Sequence, residues 1–368
     1  MSSRGNARPA ASEGEPREGP FDLIRAAGRA LIVLVAVLDL RLLGWMMRKA
    51  TREPRVDEIQ IDGVRVELVR PGGKGPWPGF IFVTGAHPLR RREPIVQKVA
   101  QGLARAGFLV LVPDLPVLGE GTITPQTLES TLRVVEWTAR NEEVERGRVA
   151  LCGASVGASL ALLVAQQPEL RSRISVVSSI SPFADLERMI CLATTRCYDH
   201  GGQTETYEAA ILLRRVVARS MLSTLPAGAE RTELLTHAGD ILDDDRDAID
   251  DLCAVDLDPL GPDARAVMQL LRNSEPDRFA TLYSALPNAV HLLVNQLSPL
   301  RRAASVASNA TLVASGVPSR ASVTVASLAI SRPRAGDRTD DEPAEAREVA
   351  QAGAGQSGPR VVERAAHG

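Results

Sequence analysis

Lysine is almost missing from this chain of 368 residues, occurring only at Lys49, Lys74 and Lys98. Arginine therefore carries nearly all of the positive charge, but it is dispersed and balanced by acids to a formal net charge of -2. That balance excludes a basic surface built for nucleic acid or another polyanion, and a codon bias toward arginine accounts for the imbalance. Cysteine is sparse too. Cys152, Cys191, Cys197 and Cys253 form no CxxC pair and lack the density of a disulfide scaffold, which points to a reducing compartment and a cytoplasmic location. Cys152 lies in an apolar run as a small core residue. Cys191, Cys197 and His200 match no zinc spacing. The acids Asp243 to Asp245, Asp250 and Asp251 lack the glycine and terminal glutamate of an EF-hand, and read as a solvated helix end. Nothing calls for a metal or a cofactor.

A long uninterrupted apolar run is also lacking. Residues 1–20 are Gly, Ser, Pro and charge, and are expected to be disordered. Residues 21–52 contain the stretch Ala30 to Met47, broken by Asp39 and Arg41. Its unbroken part, Leu31 to Leu38, is too short for a hydrocarbon core that needs about 20 apolar residues. No small-residue cleavage site follows, so a removed signal peptide is not expected. Arg25, Arg29, Arg48, Lys49, Arg52 and Trp45 flank or end the stretch. A helix packed on the protein itself or lying along a membrane surface fits better than a span.

From Pro54 onward the pattern is regular. Glu58 to Asp62 and Val64 to Val69 read as a hairpin around Asp62-Gly63. Gly79 to Val83 and Phe108 to Val112 are apolar throughout, as strands covered on both faces are. Between them Pro94 to Ala106 has helical spacing and stops at Gly107. Thr124-Pro125 opens a helix to about Arg140. Val149 to Leu151, a helix from Gly157 to Gln167, and Ile174 to Ile180 complete the alternation. Strands alternating with helices of this length predict an α/β fold with a mostly parallel sheet and helices on both faces. We expect the core over 55–200 and a helical cap without clear strands over 201–300. A degenerate strand region is expected over 301–331, with Leu312 to Ser315 and Val323 to Ile330 as short strands. The tail 332–368 is expected to be disordered.

Gly153-Ala154-Ser155-Val156-Gly157 fits G-x-S-x-G. About one chain in seven of this size would carry such a match by chance, so its setting decides. An apolar strand, VALC, precedes it and a helical segment, ASLALLVAQQ, follows. A serine on so sharp a turn needs small neighbours, which Gly153 and Gly157 supply. With Thr84-Gly85-Ala86-His87-Pro88 and Val112-Pro113-Asp114-Leu115-Pro116, the elbow resembles the α/β-hydrolase superfamily. More narrowly it resembles dienelactone-hydrolase-like bacterial members, over roughly Val56 to Leu300. The resemblance implies a serine hydrolase with Ser155 as nucleophile and a small ester-like molecule as substrate. The backbone N–H groups of Ala86 and Val156 would then bind the oxyanion. Asp114 takes a structural loop position, and His87, preceding the serine in the chain, is given a loop-shaping role.

The resemblance ends where the acid and histidine are due. Thr311-Leu312-Val313 is followed by no acid before Asp337, Asp340 and Asp341, and the last histidine is His367, next to the end. His200, His237 and His291 fall where the family does not place its base. No aromatic residue follows Tyr283, although a packed final layer normally contributes some. Either the chain is a hydrolase that lost its last layer, or its tail is read from a shifted frame. The arginine bias and the abrupt change of composition favour the second. The acid and base are left unassigned, and a non-catalytic binding protein on the same fold is the alternative.

Overall fold

In a computed structural model of the chain, the apolar strands assemble into one seven-stranded sheet in the order β1-β2-β4-β3-β5-β6-β9. The structure describes residues 20–38, 41–200, 202–239, 248–303 and 323–325. The hairpin strands are β1 (Arg55–Ile61) and β2 (Val64–Arg70); β3 spans Trp77–Val83, β4 Leu109–Pro113, β5 Val144–Ala154 and β6 Ile174–Ile180. The last, β9, is Val323–Val325. β1, β2 and β4 pair antiparallel, and every other pairing in this sheet is parallel. An antiparallel hairpin leading into parallel βαβ units is the α/β-hydrolase fold.

Alternation along the strands sorts the core onto two faces. Phe82, Val110, Val112 and Cys152 meet α3 (Pro94–Arg105) through Val96, Ala100 and Leu103. Ile81, Val83, Leu109, Leu111 and Leu151 meet α5 (Pro125–Arg140) and α6 (Val156–Ala165). This two-sided burial explains why the central strands are apolar at every position rather than at alternate ones. On the α3 side of β6, which lies between β5 and β9, Val176 is left exposed.

The N-terminal apolar stretch forms two helices, α1 (Pro20–Leu38) and α2 (Arg41–Ala50), rather than one from Ala30 to Met47. They divide where Asp39 and Arg41 interrupt the run. Among the described residues no helix is long and apolar enough to cross a membrane. Instead α1 lies on α3: Val35 is buried, a methyl group on Gly102 would come within 2.7 Å of Ala36 Cβ, and the Arg29 guanidinium sits 5.4 Å from the Phe108 ring centre.

Residues 201–300 were expected to be helical without strands. They are mostly so, in α8 (Ile211–Leu222), α9 (Ala229–His237), α10 (Ala248–Cys253), α11 (Pro262–Leu271), α12 (Pro276–Ser284) and α13 (Asn288–Leu297). However, after α7 (Leu186–Thr195) a small antiparallel hairpin intervenes, β7 (Cys197–His200) with β8 (Gln203–Thr206). The expected strand at Leu312 to Ser315, the residues Asp243 to Asp245, and Asp337, Asp340, Asp341 and His367 lie outside the described residues.

The end of the helical region folds back onto its start. Leu300 N donates to Ala184 O (2.9 Å), Leu186 N to the buried Ser298 Oγ (2.9 Å), and Arg301 Nε to Asp185 (3.0 Å). Arg301 also pairs with Glu187, near Tyr283. Burial first, and Glu187 second, push the Tyr283 hydroxyl up to about 12. The folded chain then keeps a proton that the unfolded chain releases near its ordinary value of about 10. Stability should therefore fall as pH rises from about 10 towards 12. Denaturant melts of wild type and Tyr283→Phe across that window should diverge, and identical pH dependence would count against the assignment.

Candidate active site

β5 ends at Ala154 and α6 begins at Val156, so Ser155 alone makes the turn from strand to helix. Its backbone sits at φ 53° and ψ -123°, a region costly for a residue with a side chain. Three contacts hold it there. Ser155 N donates to Ile180 O at the end of β6 (2.9 Å), and its carbonyl accepts from Ala158 N (2.9 Å) and Ser159 N (3.3 Å). Small residues make the turn possible. A Cβ on Gly153 would lie 2.1 Å from Gly157 O, and one on Gly157 would lie 2.2 Å from Val83 O. Ser155 is exposed at the carboxyl end of its strand and at the positive end of the α6 dipole.

The loop after β3 runs beside this serine. A methyl group on Gly85 would touch Ser155 Cβ at 3.0 Å and stand 3.6 Å from Oγ. Glycine at position 85 thus lets the backbone leading to Ala86 pass against the serine. Val156 opens α6, so its N–H has no acceptor one turn earlier within that helix. His87 is turned to its own loop: its Nδ1 accepts from Leu89 N at 3.3 Å, and its carbonyl accepts from Arg90 N at 2.9 Å.

Behind the loop is a buried ionic brace that the sequence reading missed. Arg90 Nη1 lies 2.9 Å from Asp114 Oδ1, and Arg91 Nε donates to Asp114 Oδ2 at 3.3 Å. Arg91 also reaches Glu58 and Glu67, and Gln97 Nε2 donates to Glu67 (2.8 Å) and to the Arg91 carbonyl (2.7 Å). Arg91, Glu67 and Asp114 are all buried. The brace ties the β3–α3 loop to β2 and to the end of β4, and it occupies Asp114 in ion pairs. The legible signal was Glu67, a lone acid inside the strand VRVELVR, which burial would oblige to find a partner.

A groove of about 590 Å³ opens between Pro88 in this loop, Gly119 and Glu120 beyond β4, and Arg219, Thr232 and Leu235 on α8 and α9. Arg219 crosses it, donating to the carbonyls of Glu120 (2.7 Å) and Gly239 (2.6 Å). The helical region thus meets the loops beyond β3 and β4 directly.

The histidines are scattered. His237 closes α9, His200 ends β7, and His291 on α13 packs edge-on to Tyr283 with ring centres 5.0 Å apart. Among the described residues no side chain hydrogen-bonds to Ser155 Oγ. The described residues therefore bring together the elbow serine and the loop of Gly85 and Ala86, but no base.

Over residues 62–239, a little under half of the chain, the sequence matches the profile of the X-Pro dipeptidyl-peptidase (S15) family. No curated protein matches. Similar solved structures include a provisionally assigned dienelactone hydrolase from Klebsiella pneumoniae, 19% identical over 36% of this chain and 61% of that one, with a TM-score of 0.30. A dienelactone hydrolase from Anabaena variabilis is 22% identical over 37% and 67%, at 0.31. Est1E from Butyrivibrio proteoclasticus is 19% identical over 41% and 65%, at 0.30. This chain spans about three fifths to two thirds of their lengths.

Proposed function

We propose that this chain, a member of the α/β-hydrolase superfamily, is a serine hydrolase of esters, lactones or thioesters that works slowly through an acyl-enzyme on Ser155. The observation that carries the reading is the single-residue turn: a strained, exposed serine between strand and helix, with a glycine loop packed against it. Ser155 Oγ attacks the carbonyl carbon, and the carbonyl π pair moves onto oxygen. The N–H groups of Ala86 and Val156 bind that oxyanion, aided by the α6 dipole. Solvent water takes the serine proton. Collapse expels the alcohol, thiol or ring oxygen, which takes a proton from water. A second water adds to the acyl-serine, releasing the acid and leaving its proton on Ser155 Oγ. The serine proton has no efficient acceptor among the described side chains, which is why the rate is low. The same observation favours the second reading, a non-catalytic binding protein on a hydrolase fold.

A fluorophosphonate probe tests the two readings. We expect slow stoichiometric labelling at Ser155, absent in Ser155→Ala. We also expect p-nitrophenyl acetate turnover no more than about 10³ to 10⁴ above the uncatalysed rate, as oxyanion stabilisation and binding alone support. An X-Pro p-nitroanilide in the same assay tests a peptidase instead. No labelling after prolonged exposure would leave the binding-protein reading. Rapid turnover lost on changing His200 or His291 would overturn the account of the missing base.

A further inference from the structure

Two of the three turns of α2 carry more apolar surface than packing needs. Gly44 is buried and Met47 half-buried toward α3, where they share a cleft with Lys98, Gln101 and Gly102. On the opposite side Leu42 is 71% exposed and Trp45 55%, with Leu43 and Met46 near one half. Leu31 and Leu34, one turn apart on α1, are similarly open. Four large apolar side chains thus stand exposed within five residues of α2, with two more one turn apart on α1, a density that the other exposed apolar residues do not reach.

Charge identifies what the patch fits. Residues 20–52 hold six basic side chains against two acids, a surplus of four, in a chain whose net charge is -2. The rest of the chain therefore carries -6. α2 itself has no acid, Lys49 is exposed two turns after Leu42, and Arg52 is exposed just beyond the helix end, against Gly72 and Gly73. An apolar face rimmed with cations, on helices that cannot span, suits an anionic lipid surface. Residues 1–19 contain Met1 as their sole large apolar side chain.

We infer that α1 and α2 dock the protein on anionic membrane surfaces, with Leu42, Leu43, Trp45 and Met46 entering the interface and Lys49 and Arg52 meeting lipid phosphates. This inference is independent of the role given to Ser155. The test is flotation of the full chain with vesicles of phosphatidylcholine mixed with phosphatidylglycerol, and with vesicles of phosphatidylcholine alone. Binding is expected for the anionic vesicles, weakening as salt is raised. Leu42→Asp with Trp45→Asp should reduce it by roughly tenfold or more. Lys49→Glu with Arg52→Glu should reduce it by at least roughly fivefold for each charge. Leu292→Asp, an exposed apolar position on α13, should leave it unchanged, and thermal melts of all variants should match wild type. Absence of vesicle binding, or equal loss with Leu292→Asp, would overturn the inference. So would a dimer in sedimentation that only the Leu42/Trp45 variant dissociates, since the patch would then belong to a second copy.

Discussion

Gly157→Ala is expected to cost the fold about 3 kcal/mol or more, a large fraction of the roughly 5 to 15 kcal/mol that stabilises a typical domain. Its added methyl group would stand 2.2 Å from Val83 O and 2.5 Å from Thr84 O. Both are backbone atoms at the end of β3, held between β4 and β5, so no flexible side chain can swing aside. Gly153→Ala meets the same obstacle from the other side, 2.1 Å from Gly157 O. Gly228→Ala is the matched control. That glycine is extended, at φ 169°, with nothing within 4 Å of an added Cβ. It should stay within about 0.5 kcal/mol of wild type. Urea midpoints for the three variants decide the matter. A wild-type midpoint for Gly157→Ala would mean that helix and strand do not approach as described, and the geometry of Ser155 would fall with it.

Arg91→Met is expected to destabilise by about 3 to 5 kcal/mol, because it leaves buried carboxylates without their guanidinium partner. Glu67 and Asp114 are 7% and 6% exposed. Asp114 keeps Arg90 at 2.9 Å, but Glu67 keeps only the amide of Gln97. Adding Glu67→Gln to Arg91→Met should recover part of the loss, since the stranded charge is removed along with its partner. A double-mutant cycle by denaturant melting measures the coupling, and additive losses would show the brace to be incidental. Because the brace anchors the loop carrying Gly85 and Ala86, whatever ester hydrolysis the wild type shows should fall in the single variant and return partly in the double.

The parts legible in the sequence were those decided by neighbours along the chain. Asp62-Gly63 announced its hairpin, and both residues take positive φ there, 44° and 83°. The β-rich run Ile174 to Ile180 is β6 residue for residue. The elbow was readable because a strand, a small-residue turn and a helix are consecutive. Contacts between distant residues were not readable. Arg91 meets Glu67 across 24 positions and Asp114 across 23, and no local pattern marks such partners. β7 and β8 escaped for a different reason. Tyr198-Asp199 and Thr204-Glu205 show no apolar alternation, because the hairpin lies outside the sheet and Tyr198 and Glu205 are bonded at its surface. The division of the N-terminal stretch into α1 and α2 falls at Asp39 and Arg41, the charges that break its apolar run.

Ser298 closes onto Leu186 across 112 positions of chain, so the helical region leaves the core and returns to it at one point. An excursion whose two ends meet can be lengthened, shortened or exchanged without altering the distance the core must bridge. None of the three bonds that hold Ser155, and none of the brace residues Glu58, Glu67, Arg90, Arg91 and Asp114, belongs to that excursion. The wall of the groove formed by α8 and α9 does belong to it. In this molecule the groove wall and the hydrogen bonds that hold Ser155 are therefore carried by different stretches of the chain, joined through the core that α13 shares with α5 and α6.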